Sequence, residues 1–365
     1  MNDIKNIKKI VLTGGPCAGK TTALVKIIDH FSSMGFKVYT IPEVPTIFLQ
    51  AGMDYLTKNK ALFYEGEKAT LEIQLALEDK FLKMAEQSEE PTVIICDRGT
   101  MDISAYMDDA LWQQITALAH TDSLTLRSRY DAVLHLVSAA DGAEEYYTTS
   151  TNKERKEGIE RARELDKRVI NAWTGHPHLR VINNHQDFNA KINRVLKEIS
   201  AVLELPQPIT EERKYIVKVN GDMPATTDSH ITQTYLVSDP DSEIRLRQRV
   251  WAGGNCVNVH TTKKNLGANQ QVETERQVSN ALYESLLMQA DPYRHTISKQ
   301  RRSFIWKGQY FELDAYENQL EGLVILETKG ITDKEKVNFP PFIEVVEDIT
   351  GNQQYYNYNL ALRRG

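Results

Sequence analysis

Two hydrophobic periodicities divide the chain. Through roughly the first 200 residues, short apolar runs alternate with longer stretches in which apolar side chains recur every three or four positions. That alternation predicts an α/β domain with a parallel sheet covered by helices. Strands are predicted at residues 9–13, 37–41, 92–97, 132–137 and 179–182, and amphipathic helices at 60–84 and 158–173. From Glu211 onward the period falls to two in KYIVKV, EIRLRQRV, RSFIWK and YFELDAYE, with Gly221, Gly253 and Gly308 in intervening turns. This half reads as a mainly antiparallel β domain. Between the halves, ELPQPIT carries two prolines that cannot extend the preceding helix. The expected organisation is a first domain over 1–204, a linker over 205–210 and a second domain over 211–365.

Composition narrows the class without naming it. A chain of 365 residues exceeds what one hydrophobic core usually serves, and 41% hydrophobic with 26% charged residues is ordinary for a soluble globular protein. The formal charge of -6 argues against a surface that binds nucleic acid through bulk charge, and no specific nucleic acid partner is expected. Cys17, Cys96 and Cys256 are odd in number and form no CxxC pair, which fits a reducing, cytoplasmic compartment and no structural zinc. The opening MNDIKNIKKIVLTGG has too short an apolar run for a signal peptide, and no transmembrane segment is expected.

The first chemistry lies after the first predicted strand. Gly14-Gly15-Pro16-Cys17-Ala18-Gly19-Lys20-Thr21 fits GxxxxGK[ST], follows a predicted strand and opens a predicted helix, the context in which backbone N–H groups cradle phosphates; the expected phosphate-binding loop runs from Gly14 to Thr22. Lys20 would reach the terminal phosphates and Thr21 would ligate Mg2+. Asp97, ending the apolar strand of VIICDRG, is the second candidate magnesium ligand; Arg98 follows it toward the same phosphates. Glu43 ends the second predicted strand, on the side of such sheets where ligands bind. Glu43, Lys20, Asp97 and Arg98 are therefore the catalytic candidates. Asp97-Arg98-Gly99 and the strand-end Glu43 resemble the DR[SG] and E-P elements of nucleoside kinases, where the Glu serves as base and the Arg contacts phosphate. Arg155, Arg161 and Arg163, in a charged helical stretch, are candidates for a lid over the phosphates, against the alternative of a solvated helix face with pairs such as Glu157 and Arg161. Asn152-Lys153-Glu154-Arg155 does not complete the guanine-reading NKxD pattern, so ATP and GTP both stand.

In the second half, charges recur at alternate strand positions: Glu212 and Lys214; Arg245, Arg247 and Arg249; Glu273 and Glu275; Lys299 and Arg301; Glu312 and Asp314; Glu327 and Lys329. Lys263 joins the basic candidates. Period two puts each set on one strand face, either a solvated outer face or the interior of a closed antiparallel β-barrel holding a polyanion and metal ligands.

These residues, with QTYL, LVILE and YYNYNLA, resemble the CYTH or triphosphate tunnel metalloenzyme family over 210–365. The resemblance implies a tunnel whose basic side chains hold triphosphate and whose glutamates hold a divalent metal for hydrolysis. Two departures stand out: Thr210 occupies the place of the first Glu of ExExK, with Glu211 beside it, and Lys329 replaces the second Glu of a late ExE. Loss of those carboxylates preserves anion binding and weakens the case for hydrolysis. With GGPCAGKT, DRGTMDISAY and HLVSAADGAEEYY, the whole chain resembles the family of the fly photoreceptor trafficking protein TRPL translocation defect 14. That implies nucleotide binding together with recognition of a phosphorylated small molecule, polyphosphate or phosphoinositide headgroup. Three activities are compatible: a P-loop phosphotransferase or NTPase, a nucleotide-controlled binding module, and a tunnel triphosphatase.

Overall fold

The structure, a computed structural model, describes residues 7–53, 57, 59–146, 158–208, 212–252, 254–268, 270–328 and 336–363. The readings placed on Asn152 to Glu157, Thr210, Glu211, Gly253 and Lys329 lie outside these residues. The chain divides into two compact units, Met1–Ile199 and Ser200–Gly365.

Five parallel strands build the first unit: β1 (Lys8–Thr13), β2 (Lys37–Ile41), β3 (Thr92–Asp97), β4 (Ala132–Leu136) and β5 (Leu179–Ile182), in the order β2-β3-β1-β4-β5. Around them run α1 (Lys20–Ser33), α2 (Val44–Gln50), α3 (Lys60–Gln87), α4 (Thr100–Ser104), α5 (Asp109–Leu118), α6 (Ser123–Arg127), α7 (Ile159–Trp173) and α8 (Phe188–Val202). All six residues of the central β1 are buried, as a parallel strand covered on both faces requires. The predicted strands and both predicted helices fall on these elements. The phosphate loop, Glu43 and Asp97 all follow the carboxyl ends of strands, where an open parallel sheet presents its ligand crevice.

A buried ionic network holds α3 to this sheet. Glu78, with no exposed side-chain surface, accepts from Lys9 Nζ at 2.7 Å, Arg129 Nε at 3.1 Å, Tyr130 OH at 2.5 Å and Gln74 Nε2 at 2.9 Å. Tyr130 OH in turn accepts from Thr100 N at 2.8 Å, so the network reaches the first residue of α4. A carboxylate this deep is tolerable because its acceptor sites are filled and its charge is balanced.

The second unit is one antiparallel sheet of ten strands: β6 (Gln207–Pro208), β7 (Arg213–Val219), β8 (Thr227–Leu236), β9 (Ser242–Trp251), β10 (Cys256–Gly267), β11 (Gln270–Val278), β12 (Ile297–Trp306), β13 (Gln309–Tyr316), β14 (Val324–Thr328) and β15 (Ile343–Asp348). Two helices accompany it, α9 (Asn280–Leu287) and α10 (Asn357–Leu360). The order β15-β7-β14-β13-β12-β8-β9-β10-β11-β6 corrects the expected closed barrel. The sheet is open between β15 and β6 among the described residues. The edges explain this: β15 exposes Glu344, Glu347 and Asp348, charges that oppose further pairing, and β6 offers two residues, one a proline without an N–H. Gln207 and Pro208, within the expected linker, pair with β11.

Buried apolar clusters lie on both sides of the sheet, and Ile297, Tyr316 and Ile325 share their strand faces with the charged rows. Phe304, Phe311, Leu313 and Leu326 pack with Tyr215 and Phe342, and α9 covers Leu246 through Tyr283. Alternate residues on the same strands, Lys299, Arg301, Glu312, Asp314 and Glu327, are at most 7% exposed. A solvated outer face would leave these charges in water, so the rows of β12, β13 and β14 lie on a buried polar face. Arg245, Arg247, Glu273 and Glu275 are half-buried, and Glu212 is exposed.

Replacing Glu78 with Ala leaves Lys9 buried without its carboxylate and should destabilise the first unit by about 3–5 kcal/mol. Urea unfolding of the full chain measures this; a loss below about 1 kcal/mol, the scale of an exposed pair, would contradict the network's role.

Candidate functional site: a phosphate loop and a buried charged face

The loop from Gly14 to Gly19 is shaped by residues that have no room for alternatives. Gly14 has φ 140°, and a Cβ there would lie 2.0 Å from Leu136 O. Gly19, at φ 86°, precedes α1, and its Cβ would meet the Phe188 ring at 2.6 Å. Gly15 N donates to Asp166 Oδ1 at 2.6 Å, and Asp166 also stands 3.3 Å from His135 Nε2. Burial pushes the Asp166 carboxyl up, but His135 and the Gly15 N–H overcome it and hold it below its ordinary range. On the other side Lys191 Nζ donates to Ala18 O at 3.0 Å, Val137 O at 2.7 Å and Asn184 Oδ1 at 2.7 Å. Ser138 Oγ donates to Pro16 O, and Cys17 adopts φ 56°. The loop is thus pinned by β4, α7 and α8 before any ligand arrives.

Lys20 is buried, and its Nζ donates to Gly14 O at 3.2 Å. Burial and the nearby Arg98 lower its pKa, against the pull of Asp97, Glu43 and Asp102. These are the residues gathered at the ends of β1, β2 and β3. Arg98, itself at φ 70°, donates from Nε to Glu43 Oε1 and places Nη1 3.5 Å from Asp102 Oδ1. Burial would raise the Glu43 carboxyl, yet Arg98 and then Lys20 hold it at about 2. Asp97 behaves oppositely: burial raises its pKa, and its Oδ1 is buried with no hydrogen-bond partner among the described residues. An orphaned carboxylate oxygen is costly, and a magnesium ion or its bound water would satisfy it. Thr21 is exposed at the start of α1. Asp97 and Thr21 therefore fit a magnesium site.

In the second unit, strand register puts the charged rows on one face. Arg245, Arg247 and Arg249 of β9 stand opposite Tyr235, Gln233 and Ile231 of β8 and Thr261, Val259 and Val257 of β10. Lys263 lies opposite Glu243 and Glu273. Arg245 Nη2 meets Glu273 at 2.8 Å and Glu275 at 3.5 Å. Arg301 draws three carboxylates together: Asp314 through Nε at 2.6 Å and Nη2 at 2.5 Å, Glu312 through Nη1, and Glu327 at 3.4 Å. Lys299 Nζ donates to Asp314 at 2.5 Å, and burial with the Arg301 charge brings it to about 8 despite that partner. Lys214 Nζ donates to Glu327 at 2.9 Å and lies 4.0 Å from Glu212. Arg247 differs: its described bond is a long 3.4 Å contact with Gln233 Oε1, and burial and the neighbouring Arg245 lower its pKa.

Known proteins resemble each half of the chain. Residues 9–191, half of the chain, match the model of a family described as AAA domain. An inorganic triphosphatase of Nitrosomonas europaea is 30% identical over 155 residues, covering 41% of this chain and 95% of that enzyme. The chain belongs to the AAA-domain family and is a homologue of that triphosphatase. A solved inorganic triphosphatase structure is 27% identical and covers 43% of this chain and 97% of that one, with a TM-score of 0.33. A protein of Pyrococcus horikoshii OT3 is 19% identical over 32% of this chain and 77% of its own, at 0.24. At those scores the two structural likenesses carry no weight of their own.

Within the AAA domain, the lid candidates Arg161 and Arg163 make local contacts on and beside α7. Arg161, half exposed, pairs with Glu164 on its own helix at 2.8 Å. Arg163 donates to Ala140 O at 2.6 Å and to Glu144 and Glu160 at 2.7 and 2.9 Å. Local acceptors within reach on and beside α7 hold both in place. Three residues of the AAA domain escaped sequence reasoning: Asp102, Asp166 and Lys191. Asp102 was findable, since its i,i+4 spacing from Arg98 in DRGTMD is a pairing distance. No local signal marks Asp166 or Lys191, because each meets the loop across the fold. Among the described residues no helix is long and apolar enough to cross a membrane, and no three His, Cys, Asp or Glu side chains form a group able to hold a metal ion.

Two outcomes follow from this site. Lys20→Ala should abolish nucleotide-dependent thermal stabilisation while leaving the circular dichroism spectrum unchanged; wild-type stabilisation by ATP and GTP in the variant would contradict the loop's role. Glu43 falls from 4.5 to about 2 on folding, so the stability it contributes is complete above pH 4.5 and is lost as the pH falls toward 2. Glu43→Gln should flatten the acid-unfolding curve in that window; an unchanged curve would mean that Arg98 does not hold the carboxylate.

Proposed function

We propose that the AAA domain binds a magnesium nucleoside triphosphate and transfers its terminal phosphoryl group, while the second unit binds a phosphorylated ligand on its buried charged face. The observation that carries the first half is the orphaned Oδ1 of Asp97, buried beside Lys20 and Arg98 at the open end of the sheet. Magnesium would supply charge neutralisation between the phosphates. Lys20 stabilises the transferred group as its charge shifts, and the loop amides hold the rest of the phosphate chain. Paired with Arg98, Glu43 is too weak a base to act. When Arg98 turns from Glu43 to an incoming phosphate, the carboxylate loses its strongest partner and its proton affinity rises. It then takes the proton of the acceptor hydroxyl as that oxygen attacks phosphorus and the nucleoside diphosphate leaves. This exchange keeps the base silent until a phosphate is present, which limits idle hydrolysis.

For the second unit, Arg247 and Arg249 support anion binding, because burial and neighbouring arginines destabilise their charges and an anion would relieve both. Engagement of Glu312, Asp314 and Glu327 by Arg301 and Lys214 favours binding over metal-assisted hydrolysis. The name of the Nitrosomonas europaea enzyme supports a triphosphate as one such ligand; the resemblance to the TRPL translocation defect 14 family supports a polyphosphate or phosphoinositide headgroup. A cytoplasmic location remains our reading, supported by three free cysteines.

Thermal-shift measurements on the full chain separate these assignments. Magnesium with ATP or GTP should raise the melting temperature through the first unit, and tripolyphosphate should raise it even in EDTA. The Arg245→Ala, Arg247→Ala, Arg249→Ala triple variant should lose the tripolyphosphate response and keep the nucleotide response. Rapid magnesium- or manganese-dependent phosphate release from tripolyphosphate would instead make the second unit a hydrolase, and no nucleotide response would refute the first assignment.

A further inference from the structure

A cleft of about 360 Å³ opens in the AAA domain between α4, α5, α6 and α7. Its apolar side is built by Met101, Met107 and Trp112, each at most 7% exposed. Polar groups converge on it from the other helices. Arg168 of α7 is half-buried; its described hydrogen bond runs from Nη2 to Met107 O at 2.9 Å, and it has no ion pair among the described residues. Most of the guanidinium's N–H donors are therefore not used by described protein acceptors. Arg127 shares the wall and donates from Nη2 to Ala172 O at 3.3 Å. Trp112 Nε1 donates to Ser123 Oγ at 2.8 Å, an arrangement that leaves the Ser123 hydroxyl able to donate.

Asp109 also lines the cleft but pairs with neither arginine among the described residues, so two guanidinium groups face one carboxylate there. A cleft of net positive charge set against buried apolar surface discriminates in two ways at once. The guanidinium favours an anion through charge-assisted hydrogen bonds, and the thioether and indole surface favours an apolar body that leaves water with it. We infer that this cleft binds a small amphipathic acid, with an anionic head on Arg168 and an aromatic or aliphatic body against Met101, Met107 and Trp112. The occupant would touch α4, the helix whose Asp102 holds Arg98 and Gly99, so binding here bears on the phosphate site without sharing its ligands. The inference stands whether or not phosphoryl transfer is the reaction.

Anilinonaphthalene sulfonate and its uncharged counterpart phenylnaphthylamine test it, since they share an aromatic body and differ in the anionic group. Titrated into the full chain with excitation through tryptophan, the sulfonate should bind saturably and about tenfold more tightly than the neutral dye, the scale of one charge-assisted bond. Arg168→Gln should remove that preference and leave the neutral dye unaffected. Ser104→Phe, at a half-buried position in the wall, should exclude both. Displacement of the sulfonate by benzoate or by phenyl phosphate would identify the preferred head group, and displacement by neither would overturn the site. Equal binding of the two dyes by the wild type, or unaltered sulfonate binding by both variants, would likewise refute it.

Discussion

A single buried carboxylate fixes where the two signature turns of the first unit meet. Asp102, 2% exposed, accepts from Thr13 Oγ1 at the end of β1 and from Gly99 N at 2.8 Å after β3, and its Oδ1 lies 3.5 Å from Arg98. Trp173 Nε1 adds a fourth contact from α7 at 3.3 Å. Because both carboxylate oxygens are committed, the entry to the phosphate loop and the Asp97-Arg98-Gly99 turn cannot move independently. That constraint lets Arg98 hold a left-handed φ of 70°, a conformation that costs energy and persists where surroundings over-determine it. It also leaves Asp97, the neighbour, with a buried oxygen that no described protein group satisfies. Rigid support beneath and an unmet need at the surface are what a preorganised phosphate site requires.

The second unit places its buried charges in rows along neighbouring strands. Along β13 and β14, Leu313 and Leu326 alternate with Glu312, Asp314 and Glu327, while Tyr316 and Ile325 bring a second apolar cluster to the charged face. Glu312 lies directly opposite Glu327, a pairing that repels unless a cation intervenes. Arg301 supplies that cation to both and to Asp314. Across the sheet, Arg247 has no ion pair among the described residues, whereas its neighbour Arg245 meets Glu243, Glu273 and Glu275. Carboxylates thus gather on Arg301 around β12 to β14 and on Arg245 at β9, with Arg247 between them.

Local signals in the sequence carried the strands, the long helices and the phosphate loop, since apolar periodicity and glycine spacing act over a few residues. They carried the charged rows as well, because period two alone assigns a face. The missing parts depended on distance. Whether the second sheet closes rests on its edge strands, and the charge on β15 and the brevity of β6 became informative only once their neighbours were known. The choice between solvent and interior for the charged rows likewise rests on what packs against Phe311 and Leu326. The contacts of Arg163 with Glu144 and Ala140 O also cross from α7 to another segment, so spacing along the helix did not reveal them.

The central claim is that Asp97, beside Lys20, completes a metal–nucleotide site. Electron paramagnetic resonance of Mn2+, substituted for magnesium and titrated with ATP or GTP, measures that site directly. A bound-manganese signal that requires nucleotide in the wild type and disappears in Asp97→Asn is the predicted result. Nucleotide-dependent manganese binding of equal strength in Asp97→Asn would contradict it.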